Sequence, residues 1–171
     1  MRQNLHELPD LVRLAHGWAM DAMFVQHLCH DFGEASLPER YRPMREFVDE
    51  QTLLGEDPAR VERYFDEARE VAAAAGLDLR LPRTRPRPHP PGTPGRARCA
   101  WPWTGAYVSY DGFAMPCCMV ATPDRINFGN MLTEGVLPVW DGEPYRRFRA
   151  QLESDTPPEI CRTCALYTGT F

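Results

Sequence analysis

Apolar residues return at helical spacing at the start of the chain and predict a short helix that ends near Gly17. The positions of this stripe are Leu5, Leu8, Leu11, Leu14 and Ala15. Pro9 suits the first turn of such a helix, because the N–H that proline lacks has no partner there. A compact, mainly apolar run follows at residues 22–28, and its length predicts a buried strand that is parallel to a neighbouring strand.

The clearest helical pattern begins after Asp57, which is expected to cap the helix, and Pro58, which suits its first turn. The apolar face of this helix consists of Val61, Tyr64, Phe65, Ala68, Val71 and Ala72. Gly76 stands where a left-handed C-cap is expected, and residues 77–81 predict a second strand. Such an alternation of helices and strands is typical of an α/β fold, in which helices cover parallel strands.

Two segments interrupt this alternation. Residues 29–56 form a long connection, in which only 44–52 has the pattern of a short helix, and connections of this length are often functional. Residues 82–98 are rich in proline and arginine, so they can neither pack a core nor continue a sheet. We interpret residues 82–98 as a semi-rigid linker between two domains.

A β-hairpin is predicted directly after the linker. Two strand-like runs, 106–110 and 113–117, flank Asp111-Gly112. An Asp-Gly pair in this position is a strong hairpin signal, because both residues accept the backbone angles of a tight turn. The second arm of the hairpin ends at the double cysteine of the chain.

The last part of the chain returns to helical spacing. The apolar positions of 136–152 predict a helix that is broken near 141–142, where an Asp-Gly pair stands. The prolines at 157–158 are expected to begin a final helical turn, which carries Cys161 and Cys164. We therefore predict a small second domain that combines a hairpin with short helices.

Composition excludes several classes of function. The net charge of −5 argues against a general nucleic-acid binder, whose binding face is basic. No apolar run reaches the roughly 18 residues of a membrane span, and the N-terminus does not have the pattern of a secretory signal. We therefore expect a cytoplasmic location without membrane contact. In a reducing compartment, six cysteines favour metal ligands, redox groups or buried thiols over a disulfide framework.

The cysteines are spaced as metal ligands. Cys161 and Cys164 form a CxxC pair, which supplies two of the four sulfurs that a tetrahedral or cubane site requires. Neighbouring side chains on a strand point to opposite faces, so only one of Cys117 and Cys118 is expected to join them. Cys99 then supplies the fourth thiolate, and both structural zinc and an iron–sulfur cluster agree with this count.

Large apolar side chains accompany these cysteines. They are Trp101, Trp103, Tyr107, Phe113 and Met115. We expect most of them to be core, where an apolar shell would also limit the access of solvent to a redox cofactor.

The order of the motifs resembles a known domain. The motifs are Cys99-Ala-Trp-Pro-Trp103, YVSYDGFAMPCC, NFGN, VWDGEPYRRFR and PPEICRTC. They resemble the SPASM domain of radical SAM enzymes in its shortened, twitch-like form. The resemblance implies one auxiliary [4Fe-4S] cluster held by Cys99, Cys117, Cys161 and Cys164. A full SPASM domain has a further cysteine where this chain has Thr170, so a second cluster is not expected.

The resemblance also implies a domain organisation. Residues 1–81 resemble the C-terminal portion of a partial, TIM-like (β/α) barrel, 82–98 are the linker, and 99–171 form the cluster domain. The CxxxCxxC motif that binds the radical-generating cluster of this family does not occur in the sequence. We therefore do not expect this chain to cleave S-adenosylmethionine alone. S-adenosylmethionine enters only if an N-terminal radical SAM half, on a longer chain or as a separate partner, completes the enzyme, and the alternative is a remnant that serves another role.

Two functions follow as hypotheses. In the first, the chain is the C-terminal part of a radical SAM oxidoreductase or maturase, and its cluster transfers electrons or positions a peptide or small-molecule substrate. In the second, it is a non-catalytic binding module stabilised by zinc or a structural cluster. The first hypothesis also gives a role to Gln26 and His27, which lie with Cys29 and His30 at the C-terminal end of the first strand, where a barrel places its active site. Gln26 and His27 are predicted to lie at the rim of an S-adenosylmethionine or substrate site, and an ordinary strand end is the favoured alternative.

Overall fold

The computed structural model describes residues 1–28, 32–85 and 99–169 of the chain. These residues form two compact units. The described part of the first unit comprises 1–28, 46–85 and 169, and that of the second comprises 32–45 and 99–168. Residues 1–81 were predicted to form one domain, whereas the structure groups 32–45 with the cysteine-bearing segment. Most of the predicted linker, residues 86–98, lies outside the described residues.

The first unit is built on helices and one small parallel sheet. A 3₁₀ helix at Arg2–Glu7 leads into helix α1, which spans Leu8–Gly17. Helix α2 spans Arg42–Gln51 and ends in this unit, and a short 3₁₀ turn follows at Leu53–Gly55. Helix α3, at Pro58–Ala75, is the longest element. Helices near Gly17, over 44–52 and after Asp57 were all predicted, and all three are present.

Local chemistry accounts for the bounds of α3. The Asp57 side chain accepts a hydrogen bond from the N–H of Ala59, and Pro58 occupies the first turn. At the other end, Gly76 has a φ of 69°, which is the left-handed conformation that glycine adopts most readily. The start and end of α3 are therefore set within a few residues of each boundary.

The core of the first unit lies between the 3₁₀ helix, α1 and α3. Its buried side chains are Leu5, Leu8, Val12, Val61, Phe65, Ala68, Ala72 and Leu77. All of them lack polar side-chain atoms, so apolar burial is the main stabilising contribution here.

The sheet of the first unit has two strands within the described ranges. Strand β1, at Ala22–Phe24, pairs in parallel with strand β2, at Asp78–Arg80. The parallel pairing was predicted, but the predicted burial of the first strand is wrong, since the Phe24 side chain is 63% exposed. The Arg80 guanidinium lies 4.5 Å above the Phe24 ring. One face of a two-stranded sheet remains open to solvent in this arrangement, which explains the exposure.

The second unit contains the predicted hairpin. Strand β3, at Tyr107–Val108, pairs antiparallel with strand β4, at Ala114–Met115. Gly112 occupies the turn with a φ of +94°, and a Cβ at this position would lie 2.5 Å from the Asn130 Oδ1 atom. The chain at 128–130 bonds to the other side of β4, because Phe128 N–H donates to Ala114 and Ala114 N–H donates to Gly129. Both strands are shorter than the sequence predicted.

Short helices complete the second unit. They are the 3₁₀ turn Glu39–Tyr41, α4 at Trp101–Thr104, the 3₁₀ turn Cys118–Val120, α5 at Val136–Trp140, α6 at Glu143–Glu153, the 3₁₀ turn Glu159–Cys161, and α7 at Ala165–Thr168. The break between α5 and α6 was predicted, whereas α4 and Cys118–Val120 were not. The buried core consists of Ala114, Phe128, Met131, Val139, Tyr145, Phe148, Leu152 and Tyr167.

None of the helices in the described ranges is both long enough and apolar enough to cross a membrane.

Candidate metal centre

Three thiols from distant parts of the sequence line one small cavity in the second unit. Cys117, Cys161 and Cys164 contribute to its wall, and its volume is about 20 Å³. The remaining lining residues are Met119, Val120, Arg125 and Ile160. The five described cysteines, Cys99, Cys117, Cys118, Cys161 and Cys164, are half-buried thiols rather than disulfides. The cavity therefore combines sulfur donors with an apolar wall and one cationic side chain.

Tight turns bring these thiols to the cavity. Cys117 is extended, with φ −171° and ψ 172°, and stands directly before the 3₁₀ turn Cys118–Val120. Cys161 ends another 3₁₀ turn, in which its N–H donates to the Pro158 carbonyl. Cys164 directly precedes α7, and its carbonyl accepts from the N–H of Thr168. The prolines at 157–158 do precede the last turn, as predicted.

Cys99 lies close to this group. Its side chain packs against the second core together with those of Cys161 and Cys164. Burial raises the pKa of the Cys99 thiol, and a hydrogen bond from the N–H of Trp101 lowers it in part. The charge of Cys99 also acts on the pKa of Cys117. The four predicted ligands thus share one neighbourhood.

The electrostatic surroundings of Cys117 show how strongly this neighbourhood disfavours an isolated thiolate. The pKa of Cys117 is raised to about 12, mainly by burial and to a smaller extent by the charges of Cys164 and Cys99. Hydrogen bonds from the backbone N–H groups of Met119 and Val120 act in the opposite direction. A bound cation would offset the cost of burial, because a metal ion deprotonates the thiols that coordinate it.

The two neighbouring cysteines differ in position. Cys117 lines the cavity, whereas Cys118 is not among the residues that line it. The backbone passes from an extended residue into a 3₁₀ turn between them, so their side chains leave the chain in different directions. This difference supports Cys117 over Cys118 as a ligand, although the ligand assignment itself stays a prediction.

The expected aromatic shell is only partly present. Trp101, Trp103 and Tyr107 are 38%, 36% and 39% exposed, so they lie at the surface rather than in the core. Met115 is fully buried, as expected. The aromatic core comes instead from Phe128, Tyr145, Phe148 and Tyr167. Tyr145 lies near the site, since the charge of Cys117 acts on its pKa, which burial raises to about 12.

A second arginine fixes the segment that carries Cys99. The Arg149 side chain of α6 donates to the Pro102 carbonyl through Nε at 2.8 Å and to the Trp140 carbonyl through Nη1 at 3.0 Å. Its guanidinium lies 4.2 Å from the Trp140 ring centre and 4.3 Å from that of Tyr145. These contacts hold the turn after Cys99 against the helical core.

Sequence reasoning missed the role of residues 32–45 in the second unit. The Ala35 N–H donates to the Glu159 carboxylate at 2.7 Å, one turn before Cys161. The Tyr41 hydroxyl bonds to the Thr122 hydroxyl at 2.8 Å and donates to Asp124 at 2.9 Å. Segment 32–45 is therefore hydrogen-bonded both to the chain that follows Cys117, at Thr122 and Asp124, and to the turn that carries Cys161, at Glu159. The only signal in the sequence was the unusual length of the connection.

The strongest of these ties is a buried ion pair. The Arg125 side chain donates to both oxygens of Glu34, through Nε at 2.6 Å and through Nη2 at 2.8 Å. The two side chains are 1% and 4% exposed. Arg125 also donates to the Val120 carbonyl at 3.0 Å, and its guanidinium lies 4.6 Å from the centre of the buried Phe32 ring. Neither charged residue was identified from the sequence.

The cysteine site agrees with a metal group in its donor atoms but not in its volume. Its four thiols are the donor type of both iron–sulfur and zinc sites. Its cavity has about the volume of a single water molecule, so the cysteine side chains must spread apart to become ligands of a four-iron group. Within 1–28, 32–85 and 99–169, no group of three or more His, Cys, Asp or Glu side chains is arranged to hold a metal ion. The sulfur donors therefore fit an iron–sulfur or zinc site, but the cysteine side chains must move apart before a four-iron group can be held between them.

The predicted rim residues of the first unit have different surroundings. Gln26 lines a cavity of about 520 Å³ together with apolar residues of α1 and β1. His27 is 5% exposed, and its Nε2 atom bonds to the Arg83 carbonyl at 2.6 Å. Burial lowers the pKa of His27, and the positive N-terminus lowers it further. Contact of either residue with S-adenosylmethionine or substrate stays a prediction, and Cys29 and His30 lie outside the described residues.

Comparison with known proteins identifies a likeness for the cysteine-bearing segment. Residues 99–165 match the family model of SPASM, described as an iron-sulfur cluster-binding domain. The matched range includes Cys99, Cys117, Cys161 and Cys164. No curated protein and no solved structure matches the chain significantly. In its cysteine-bearing segment, the chain is therefore similar to an iron–sulfur cluster-binding SPASM domain.

Proposed function

We propose that the second unit binds one [4Fe-4S] cluster through Cys99, Cys117, Cys161 and Cys164. The observation that carries the proposal is the shared position of three of these thiols at one cavity, inside the range that matches the SPASM model. Cys99 joins them through its charge interaction with Cys117. Four thiolates are the usual ligand set of such a cluster, and the apolar wall restricts solvent.

The cluster supplies one-electron chemistry when it is bound. The residues around it supply the rest. The N–H groups of Met119 and Val120 donate to the Cys117 sulfur, and Arg125 places a positive charge at the cavity. Both features stabilise negative charge on the sulfurs. Such a site is suited to accept or relay an electron, or to hold a substrate group near the sulfurs.

The proposal also includes the enzyme in which the cluster would work. We place the chain as the C-terminal part of a radical SAM oxidoreductase or maturase, in which the first unit is the end of a partial (β/α) barrel. The parallel pairing of β1 with β2 and the packing of α1 against α3 support this placement. A separate half with CxxxCxxC supplies S-adenosylmethionine cleavage, and the substrate is a peptide or a small molecule.

Anaerobic reconstitution tests cluster binding. The purified chain is incubated with iron and sulfide, then assayed for iron, labile sulfide, zinc and visible absorption. We expect about four irons and four sulfides per chain, the content of one [4Fe-4S] cluster. Cys161→Ser is expected to lose most of the iron and to unfold at a lower temperature, since metal binding and folding are coupled.

Cys118→Ser is the matched control, because this thiol is adjacent in sequence but does not line the cavity. It should retain iron. A colourless protein that contains one zinc and no sulfide would instead establish a zinc-stabilised module. If Cys118→Ser loses iron and Cys117→Ser retains it, Cys118 rather than Cys117 is the ligand.

A further inference from the structure

A buried charge stands at the cysteine cavity without any role in the ligand set. Arg125 lines the cavity together with Cys117, Cys161 and Cys164, and its side chain is 1% exposed. Arginine remains protonated in proteins, so this position is permanently cationic. Because little solvent reaches the guanidinium, its field is weakly screened at the sulfurs.

Glu34 fixes this charge in place. The two hydrogen bonds between Glu34 and Arg125 give the fork geometry that arginine forms with a carboxylate. The partners are 91 positions apart, so the pair exists only because segment 32–45 packs in the second unit. Phe32 covers the guanidinium at 4.6 Å and closes it off from water. The cavity therefore has a cation at its wall and a counter-charge behind that cation.

A second ion pair in the same unit differs from the pair of Glu34 and Arg125 in its exposure to solvent. Arg40 pairs with Asp124, but these side chains are 64% and 31% exposed. They line a different cavity, next to the hairpin, which includes none of the cysteines. Solvent and salt screen an exposed pair, so its field is weak over distance. Of these two pairs, only Glu34 and Arg125 are placed to act on the sulfurs.

We infer that Arg125 and Glu34 tune the reduction potential of the cluster, in opposite directions; this rests on the cluster binding proposed above. Arg125 stabilises the reduced form, which has one more negative charge than the oxidised form. Glu34 opposes Arg125 because its carboxylate cancels part of the cationic field. Together they also act as positioning residues, since their ion pair and the bond from Arg125 to the Val120 carbonyl hold segment 32–45 against the turn that follows Cys117.

The experiment is a reductive titration of the reconstituted protein, in which dithionite supplies one electron to each cluster and no bond to the protein forms or breaks. Electron paramagnetic resonance measures the reduced fraction and gives the midpoint potential. Arg125→Gln is expected to lower the midpoint potential and Glu34→Gln to raise it. Each substitution should change the equilibrium constant for reduction at least tenfold, which corresponds to a shift of about 59 mV in the midpoint potential for one electron. The double variant should return toward the wild-type potential.

Asp124→Asn is the control for removal of a carboxylate from an ion pair in the same unit, and its potential should match the wild type. Glu34→Gln is nearly isosteric and keeps an acceptor for the guanidinium. If Arg125→Gln fails to fold, the midpoint potential of Glu34→Gln therefore tests the inference by itself. An unchanged or lowered potential in a folded, iron-loaded Glu34→Gln protein would overturn the inference. Failure of the wild-type chain to take up iron and sulfide would overturn the proposed function instead.

Discussion

The two units differ in what holds them together. The first packs long amphipathic helices, α1 and α3, through buried side chains without polar atoms. The second has strands of two residues and several helices of five residues or fewer, and its longer helix α6 supplies Tyr145, Phe148 and Leu152 to a buried core. Polar side chains that are buried or partly buried connect its segments in addition, among them Glu34, Arg125 and Arg149.

This difference indicates which unit depends on a cofactor. Apolar burial between long helices can stabilise a fold without further help. Short elements joined by turns leave their cysteines half-buried and their thiol pKa values raised, as at Cys99 and Cys117. A metal group that binds these thiols adds its binding free energy to folding. We therefore expect metal removal to affect the second unit far more than the first.

The largest predicted effect tests the apolar character of the first unit. Phe65 is 1% exposed in its core, so Phe65→Ala should lower the free energy of unfolding by about 4 kcal/mol, with or without iron. Denaturant unfolding followed by circular dichroism measures the change. Phe24→Ala is the control, because this phenylalanine of the same unit is 63% exposed and should lose far less. An equal loss in both variants would contradict the core assignment.

The next effect tests the polar character of the second unit. Glu34→Ala leaves the Arg125 guanidinium buried without its carboxylate and should cost about 3 kcal/mol. Asp124→Ala removes the carboxylate of the exposed pair and should cost less than about 1 kcal/mol. Urea titrations of the two variants give the comparison. Similar losses would show that the buried pair contributes no more to stability than a surface pair.

A smaller effect tests how locally α3 is determined. Asp57→Ala removes the side-chain cap of the Ala59 N–H and should lower the free energy of unfolding by about 1 kcal/mol. Asp57→Ser keeps a capping oxygen and should recover most of this loss. If Asp57→Ser is as unstable as Asp57→Ala in thermal unfolding, the cap is not the cause.

The smallest effect is a pH dependence in the first unit. Burial lowers the pKa of His27, so the unfolded chain binds the proton more tightly than the folded chain does. The contribution of neutral His27 to stability is fully present above the ordinary histidine pKa of about 6.5. It decreases as the pH falls below that value toward the lower pKa of the folded state. The unfolding midpoints measured at pH 7.5 and pH 5.5 should differ less in His27→Gln than in the wild type. An equal pH dependence in the two proteins would show that His27 is not its cause.

Much of the secondary structure could be predicted because its signals are local. Asp57, Pro58 and Gly76 mark α3 within one turn of its ends, and Gly112 marks the hairpin turn. The strands were predicted to be longer than they are, since an apolar run does not reveal how much of it has a hydrogen-bonding neighbour. The exposure of Phe24 has the same cause, because the number of strands that cover a sheet face is a tertiary property.

Sequence alone predicted the sulfur donors and identified the likeness to a SPASM domain and the main helices, because each depends on residue types at short spacing. Tertiary structure placed Cys117, which the resemblance already favoured over Cys118, in the cavity wall with Cys161 and Cys164. It also brought Glu34 to Arg125 across 91 positions. The physical reason is that a turn or cap is specified by its immediate neighbours, whereas a buried charge finds its partner only through the packing of the whole unit.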